Sequence, residues 1–431
     1  MDVSIIIVNY HSTEMVIDCV HSIFEKTTDI SFEIIVVDNA SGDGIKENIE
    51  QEFGRRVQVI LSETKIDESI CINCGKCLRV CKFKENTWKK SLKETYAAHA
   101  KDIELIESAS GGVFSSLAQS VLVHGGLVYG CAMVYENDKL TPKHICINKL
   151  SELEQLKGSK YVQSELNNIY VDVRDKLEQN MDVLFSGTPC QVMGLKGYLQ
   201  KDYDNLYTAE VVCHGVPSLR LFHEYLNYVE EHEKKKVIEF KFRDKSQGWK
   251  LHGKMVLEDE NGNRIEKYFE PEESSYYQMF LNSYTYRENC YSCPFASEYR
   301  QGDITIGDYW CIDLVHPEYL IENGGKIDEK QGASCLIVNN DQGEKLIEKY
   351  GQGIEIWESS YEKASRYNAQ LKQSSCMKDE RAIVLELEKQ GYNKIEKWYQ
   401  KRLIKTKIIR KIRSMIPKWT KKLLRETLLN G

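Results

Sequence analysis

Four cysteines fall within eleven residues: Cys71, Cys74, Cys77 and Cys81, spaced C-x2-C-x2-C-x3-C. Thiolates at that spacing can each take one corner of a cubane iron–sulfur cluster, and Gly75 lets the loop turn tightly. Zinc is the alternative centre for such a set. A second group is more dispersed. Cys290 and Cys293 form a C-x2-C in a polar loop, and Cys190 and Cys213 each follow a short apolar run and are expected to project from strand ends. Together they amount to four thiolates, enough for one tetrahedral site. Zinc binding, or Cys190 acting as a nucleophile or acid, are the other chemistries open to them. His214, beside Cys213, reads either as a ligand or donor to a bound centre or as a core histidine. Cys19, Cys131, Cys146 and Cys376 have no ligand-like neighbours and read as small buried hydrophobes.

Other residues suit phosphates and polar groups. Ser110-Gly111-Gly112 precedes an apolar helical stretch, Val113 to Val123. Backbone N–H groups at a helix start, with no Cβ in the way, suit a phosphate; a glycine turn with a serine cap accounts for the same residues. Arg243, Asp244, Lys245 and Trp249 follow a strand, Val237 to Phe242, and would either orient a polar substrate or close a salt-bridged turn. Asp303 and Asp308 flank a short strand and are given a structural role. No catalytic residue is singled out.

The elements that position these groups begin at the N-terminus. Residues 2–63 read as three strands with two helices between them: DVSIIIVNY, EIIVVDNA and the run Arg56 to Leu61 as strands, with a helix from Ser12 to Phe24. Such alternation implies a parallel sheet with any ligand at the strand carboxyl ends. Those ends carry Asn9, Tyr10 and Asp38-Asn39-Ala40-Ser41-Gly42-Asp43, where the segment resembles the start of a family-2 glycosyltransferase. By that resemblance Asp38 would touch a nucleotide. The later DxD, catalytic base and acceptor half are missing, so the segment is read as vestigial or structural.

From about Tyr96 to Tyr350 seven motifs in order carry a second resemblance. They are Ser110-Gly111-Gly112-Val113-Phe114, Gly158 to Ser164 (GSKYVQS), Phe185 to Gln191 (FSGTPCQ), Cys213 to Ser218 (CHGVPS), Phe242-Arg243-Asp244-Lys245 with Gly248-Trp249, Cys290 to Cys293, and Asp303 to Trp310 (DITIGDYW). The region is similar to the beta subunit of coenzyme F-420 hydrogenases and dehydrogenases, and a ferredoxin-type segment just before it is also that family's arrangement. The resemblance implies FAD, bound through Ser110, Gly111 and Gly112 with Lys160, Tyr161 and Gln163 adding a cation, a ring and an amide. It also implies a 4Fe–4S cluster on Cys190, Cys213, Cys290 and Cys293. Within the first run, Lys82 stands where proline usually follows, so Cys71, Cys74 and Cys77 are its firmer ligands. Cys81 either closes the same cluster or waits for another.

The expected architecture is an α+β main module led by a truncated α/β segment and a ferredoxin-like cluster loop. Its boundaries are 1–63, 64–92, 93–170, 171–370 and a helical region at 371–431; the polar stretch Ile356 to Gln400 reads as helical, with Tyr361, Tyr367 and Trp398 as packing anchors. The expected function is oxidoreduction. Electrons would pass from a ferredoxin-type donor or partner subunit through one or two 4Fe–4S clusters to FAD, and a small-molecule or sugar-derived substrate would exchange hydride. Coenzyme F-420 is one candidate substrate, and polysaccharide assembly one setting.

Of the 431 residues, 42% are hydrophobic and 29% charged, an ordinary globular balance. Fourteen cysteines without a secretory leader point to metal ligation in a reducing, cytoplasmic setting. The net charge of −7 is uneven: residues 401–431 hold eleven Lys or Arg against Glu426, a tail of +10 on a body of −17. The acidic body argues against nucleic acid as a partner. The tail's apolar residues recur at helical spacing, with Pro417 dividing it into two short helices, as in an interfacial helix that would dock on the inner face of a membrane; packing of the apolar face on the acidic body accounts for the same pattern.

Overall fold

The computed structural model describes residues 3–9, 13–28, 30–39, 44–62, 94–102, 110–249 and 251–415. They belong to two compact units that divide between residues 62 and 94. In the first, β1 (Val3–Asn9), β2 (Phe32–Asn39) and β3 (Val57–Ser62) form a parallel sheet in that order. The helices Thr13–Lys26 and Ile45–Phe53 bury Val16 and Val20, and Ile45, Ile49 and Phe53, against Ile34, Val36 and Val57. Apolar residues four apart make one helix stripe, which is what such a sheet needs covered. At the strand ends the Asn9 amide donates to Asp38 over 2.7 Å, and both side chains are buried.

The second unit is built on β4 (Glu94–Ala100), β5 (Leu127–Glu136), β6 (Lys139–Ile147), β7 (Val183–Gly187), β8 (Leu206–Val211), β9 (Lys236–Lys241), β10 (Gly253–Glu258), β11 (Arg264–Phe269), β12 (Ile304–Asp308), β13 (Ser334–Val338) and β14 (Ile354–Glu358). Eight of these form one mixed sheet, β14-β4-β13-β12-β8-β7-β5-β6, in which β12, β8, β7 and β5 run parallel and the outer pairings are antiparallel. The remaining three make an antiparallel sheet, β11-β10-β9. This is the expected α+β arrangement.

The unbroken apolar run of β7 has a simple cause. Leu184 faces the helices Val113–Val123 and Asp341–Tyr350, whereas Val183 and Phe185 face Ile169–Glu178 and Pro189–Leu199. A strand alternates its side chains between faces, so a parallel strand covered on both is apolar throughout. A second core is aromatic: Phe222, Tyr225, Phe240, Phe242, Tyr276, Tyr277 and Phe280 join the helix Leu219–Glu233, the small sheet and the helix Ser275–Leu281.

The stretch from Ile356 onward, expected to be helical, opens instead inside β14, which pairs antiparallel with β4. Its sequence IEIWE alternates apolar and polar, the period of a half-covered edge strand. Of the anchors expected there, Tyr361 and Trp398 pack on the cores. Tyr367 is exposed, with the Arg366 guanidinium over its ring.

Candidate functional site

Three parallel strands deliver chemistry to one edge of the large sheet. After β7, Thr188 caps the helix Pro189–Leu199, its N–H donating to Gln191 Oε1 over 3.0 Å, with Pro189 at the first helical position. Cys190 therefore sits in the first turn of a helix and not on the strand end itself, exposed, its Sγ 3.1 Å from Thr188 Oγ1. Cys213 follows β8 by two residues, as expected. Asp308 ends β12.

The loop carrying Cys290 and Cys293 meets Cys213 through a glycine. Gly215 has φ 125°, and a Cβ there would lie 2.5 Å from the Tyr286 ring and 3.1 Å from Cys290 Cβ. The backbone N–H groups of Gly215, Val216 and Phe295 favour the ionised forms of Cys213, Cys290 and Cys293 respectively, and the Ala296 N–H donates to the Cys293 carbonyl at 3.3 Å. Burial raises the proton affinity of these three thiols, and the thiolate of Cys190 raises each further. The four cysteines thus form one electrostatic group. Among the described residues no three His, Cys, Asp or Glu stand close enough together to hold a single metal ion. Tetrahedral zinc needs every sulfur about 2.3 Å from one centre. A cubane, with a separate iron for each thiolate, takes a wider set, and its positive charge would deprotonate thiols that burial otherwise keeps neutral. In chemistry and hydrogen bonding the four residues fit a cluster.

His214 is open to solvent but crowded enough that burial disfavours its imidazolium, with Asp308 acting in the opposite sense. Asp308, read from sequence as structural, has a larger part. Its carboxylate accepts from Arg243 Nη1 at 2.5 Å and from Trp249 Nε1 at 3.1 Å. Trp249 stacks on Trp310 with centroids 5.3 Å apart and planes at 10°, and the Arg243 guanidinium lies 5.5 Å over Trp310. Burial works hardest against the Arg243 charge, but Asp308 together with the phenols of Tyr161 and Tyr277 outweighs it and holds the guanidinium protonated more firmly than in water. Asp303 is structural as expected, buried and accepting from the Thr208 N–H at 2.7 Å and from Lys196 at 2.9 Å. Asp244 turns away to cap a short turn, accepting from the Ser246 N–H at 3.0 Å.

The residues assigned to FAD divide. Ser110 Oγ donates to the Ala333 carbonyl over 2.7 Å, and the Gly111 N–H donates to Ser334 Oγ over 2.8 Å. A Cβ on Gly111 would stand 2.5 Å from the Ala98 carbonyl. Gly112, at φ 75°, then starts the helix Val113–Val123. Lys245 binds the Ser110 carbonyl, joining this turn to a cleft of about 260 Å³ lined by Ser159, Lys160, Arg243 and Lys245. Lys160 donates to the carbonyls of Gln155, Leu156 and Lys157, and burial pulls its pKa down to about 8. Tyr161 is turned into the aromatic core, stacked on Phe280 at 4.3 Å. Gln163 donates its N–H to the Pro217 carbonyl at 3.2 Å, on the Cys213 loop.

Two arrangements had no sequence signal. Gln191 Nε2 donates to Ser164 Oγ, which lies 2.9 Å from His144 Nδ1, and His144 Nε2 donates to the Ser186 carbonyl at 3.0 Å. Glu210 and Arg300 form a buried ion pair behind the cysteine loop. Of the cysteines read as buried hydrophobes, Cys131 and Cys146 are half-buried whereas Cys19 and Cys376 are exposed. Cys71, Cys74, Cys77 and Cys81 lie outside the described residues.

Two family matches cover the second unit, both to the beta subunit of coenzyme F-420 hydrogenase/dehydrogenase. Residues 95–170 match its N-terminal part and residues 180–364 its C-terminal part, together about three fifths of the chain. Residues 4–75 match glycosyl transferase family 2. No curated protein matches the sequence. Among solved structures, the chain is similar to one from the F-420-reducing NiFe hydrogenase complex of Methanosarcina barkeri. The identity is 14%, the TM-score is 0.38, and the alignment covers 73% of this chain and 94% of that one.

Proposed function

The chain belongs to the coenzyme F-420 hydrogenase/dehydrogenase beta-subunit family and is an oxidoreductase-type subunit, and on that premise we propose that it is an iron–sulfur flavoprotein passing electrons from a ferredoxin-type donor or partner subunit to a substrate. The observation that carries the reading is the gathering, at one sheet edge, of four thiols that act on one another electrostatically, with a cationic cleft on the same unit. Cys190, Cys213, Cys290 and Cys293 would hold one cluster, and Cys71, Cys74, Cys77 and Cys81 another. The N–H groups of Gly215, Val216 and Phe295, beside Cys213, Cys290 and Cys293, would tune the electron density of the sulfurs, one determinant of a cluster's potential.

FAD, when bound, supplies the conversion between one-electron and two-electron hydride chemistry. Toward it, the Gly112 helix start offers N–H groups to a phosphate. Arg243, fixed by Asp308, offers a permanent charge to an anionic part of cofactor or substrate. The stacked Trp249 and Trp310 offer flat apolar faces beside that guanidinium. The glycosyltransferase-like start, with Asn9 and Asp38 at its strand ends, supports nucleotide-activated or lipid-linked sugars as the first substrates to test beside F-420.

An anaerobic visible spectrum with iron, sulfide and flavin counts tests the reading. About eight irons per chain are expected from two cubanes, and changing Cys290 and Cys293 together to Ser should remove about half. Zinc in place of iron, in a colourless protein, would sink it.

A further inference from the structure

We propose that the buried pair Glu210–Arg300 is a positioning device that presents Cys290 and Cys293 to Cys213 in the geometry a cluster requires; this rests on the cluster reading above. Glu210 lies on β8, three residues before Cys213, and Arg300 lies seven residues after Cys293. Their side chains are 0% and 1% exposed. Glu210 Oε1 accepts from Arg300 Nε and, at 2.9 Å, from Thr305 Oγ1. Its Oε2 accepts from the N–H groups of Gln301 at 2.9 Å and Gly302 at 2.8 Å. Gly302 has no room for a side chain: a Cβ would stand 2.9 Å from Glu210 Cγ. Arg300 Nη1 reaches back to the carbonyls of Phe295 at 2.9 Å and Ser297 at 3.4 Å. One charged pair therefore grips the segment on both sides of Arg300.

That segment needs gripping. Between the short turn Glu288–Cys290 and β12 there is neither helix nor strand, so side-chain ties must fix the backbone that carries Cys293, whose carbonyl accepts from the Ala296 N–H at 3.3 Å across a tight turn. Stability alone does not explain the choice of residues. Two buried charges gain little over an apolar pair of the same size, and Arg300 Nη2 is buried without a hydrogen-bond partner, a further cost. What the pair supplies is direction, since a guanidinium fork and a carboxylate bind only in a defined geometry.

The test uses the full chain, reconstituted anaerobically with iron and sulfide. Glu210→Gln keeps the shape and removes the charge. It should lose about as much iron as the Cys290→Ser/Cys293→Ser variant while its melting temperature stays nearer the wild type's. Where that variant does not fold, the apolar replacement Glu210→Leu/Arg300→Met decides: folded, but short of the same iron. Full iron with a wild-type electron paramagnetic resonance spectrum in either variant overturns the positioning role and leaves the cluster standing. Unchanged iron in the Cys290→Ser/Cys293→Ser variant overturns both.

Discussion

Removing the Asp308 carboxylate would leave Arg243 as a buried cation with no counter-charge, because the guanidinium's other surroundings are Trp310 and the phenols of Tyr161 and Tyr277. Breaking a buried pair from one side costs about 3–5 kcal/mol, whereas replacing both members with apolar groups can be neutral. Asp308 keeps 15% of its side chain exposed, so Asp308→Asn is expected at the lower end, about 3 kcal/mol in urea denaturation. Arg243→Met/Asp308→Leu should recover most of that stability and none of the flavin binding. Recovery of both would make the pair a structural strut. The motif Phe242-Arg243-Asp244-Lys245 was legible as a cleft edge, but its carboxylate partner was not. Asp244 adjoins Arg243 in sequence, yet the charge is answered from 65 residues away. The packing of Tyr161 was hidden for a related reason, since a ring beside a lysine in a motif gives no sign of the aromatic core it stacks in.

The start of the helix Pro189–Leu199 is held by the Gln191–Ser164–His144 chain, and that chain sets a pH dependence. The Ser186 carbonyl can only accept, so His144 Nε2 carries the proton and Nδ1 accepts from Ser164. Burial lowers the His144 pKa to about 4, from about 6.5 in an unfolded chain. Between those values the unfolded state binds the extra proton, so stability is complete above pH 6.5 and drains as pH falls toward 4, by about 3 kcal/mol in all. His144→Gln should flatten the wild-type slope in that window; an unchanged slope would assign the acid sensitivity elsewhere. Apolar runs and the Gly-Gly start of Val113–Val123 made that helix and half of the strands readable in advance, namely β1, β2, β3, β7, β8, β9 and β12. β14 was not, because a five-residue edge strand in a polar stretch offers one alternation and no buried run. The ties of His144 and Glu210 were invisible because their partners lie 20 to 95 residues away.

At the scale of the molecule, two compact units make separate predictions. Residues 94–415 carry their own cores, so removing residues 1–62 should leave their melting transition and iron content in place; loss of either would show that the first unit supports the second. The basic tail follows from the charge imbalance. The helix Tyr392–Met415 is anchored at its start, where Tyr392, Ile395 and Tyr399 are buried, and it ends two residues before Pro417. The split expected at that proline lies outside the described residues. Past Tyr399, Arg402 pairs with Glu380, and Ile404 is 57% exposed. An apolar residue left uncovered among lysines suits an interfacial helix better than one packed on its own body. No helix among the described residues is long and apolar enough to cross a membrane. Residues 405–431 hold nine Lys or Arg, each contributing about 1 kcal/mol near an anionic bilayer before screening. Deleting them should leave the melting temperature unchanged and abolish co-sedimentation with anionic vesicles, and raised salt should weaken the full chain in the same assay. A truncated chain that still binds, or one that no longer folds, would return the tail to the body of the protein.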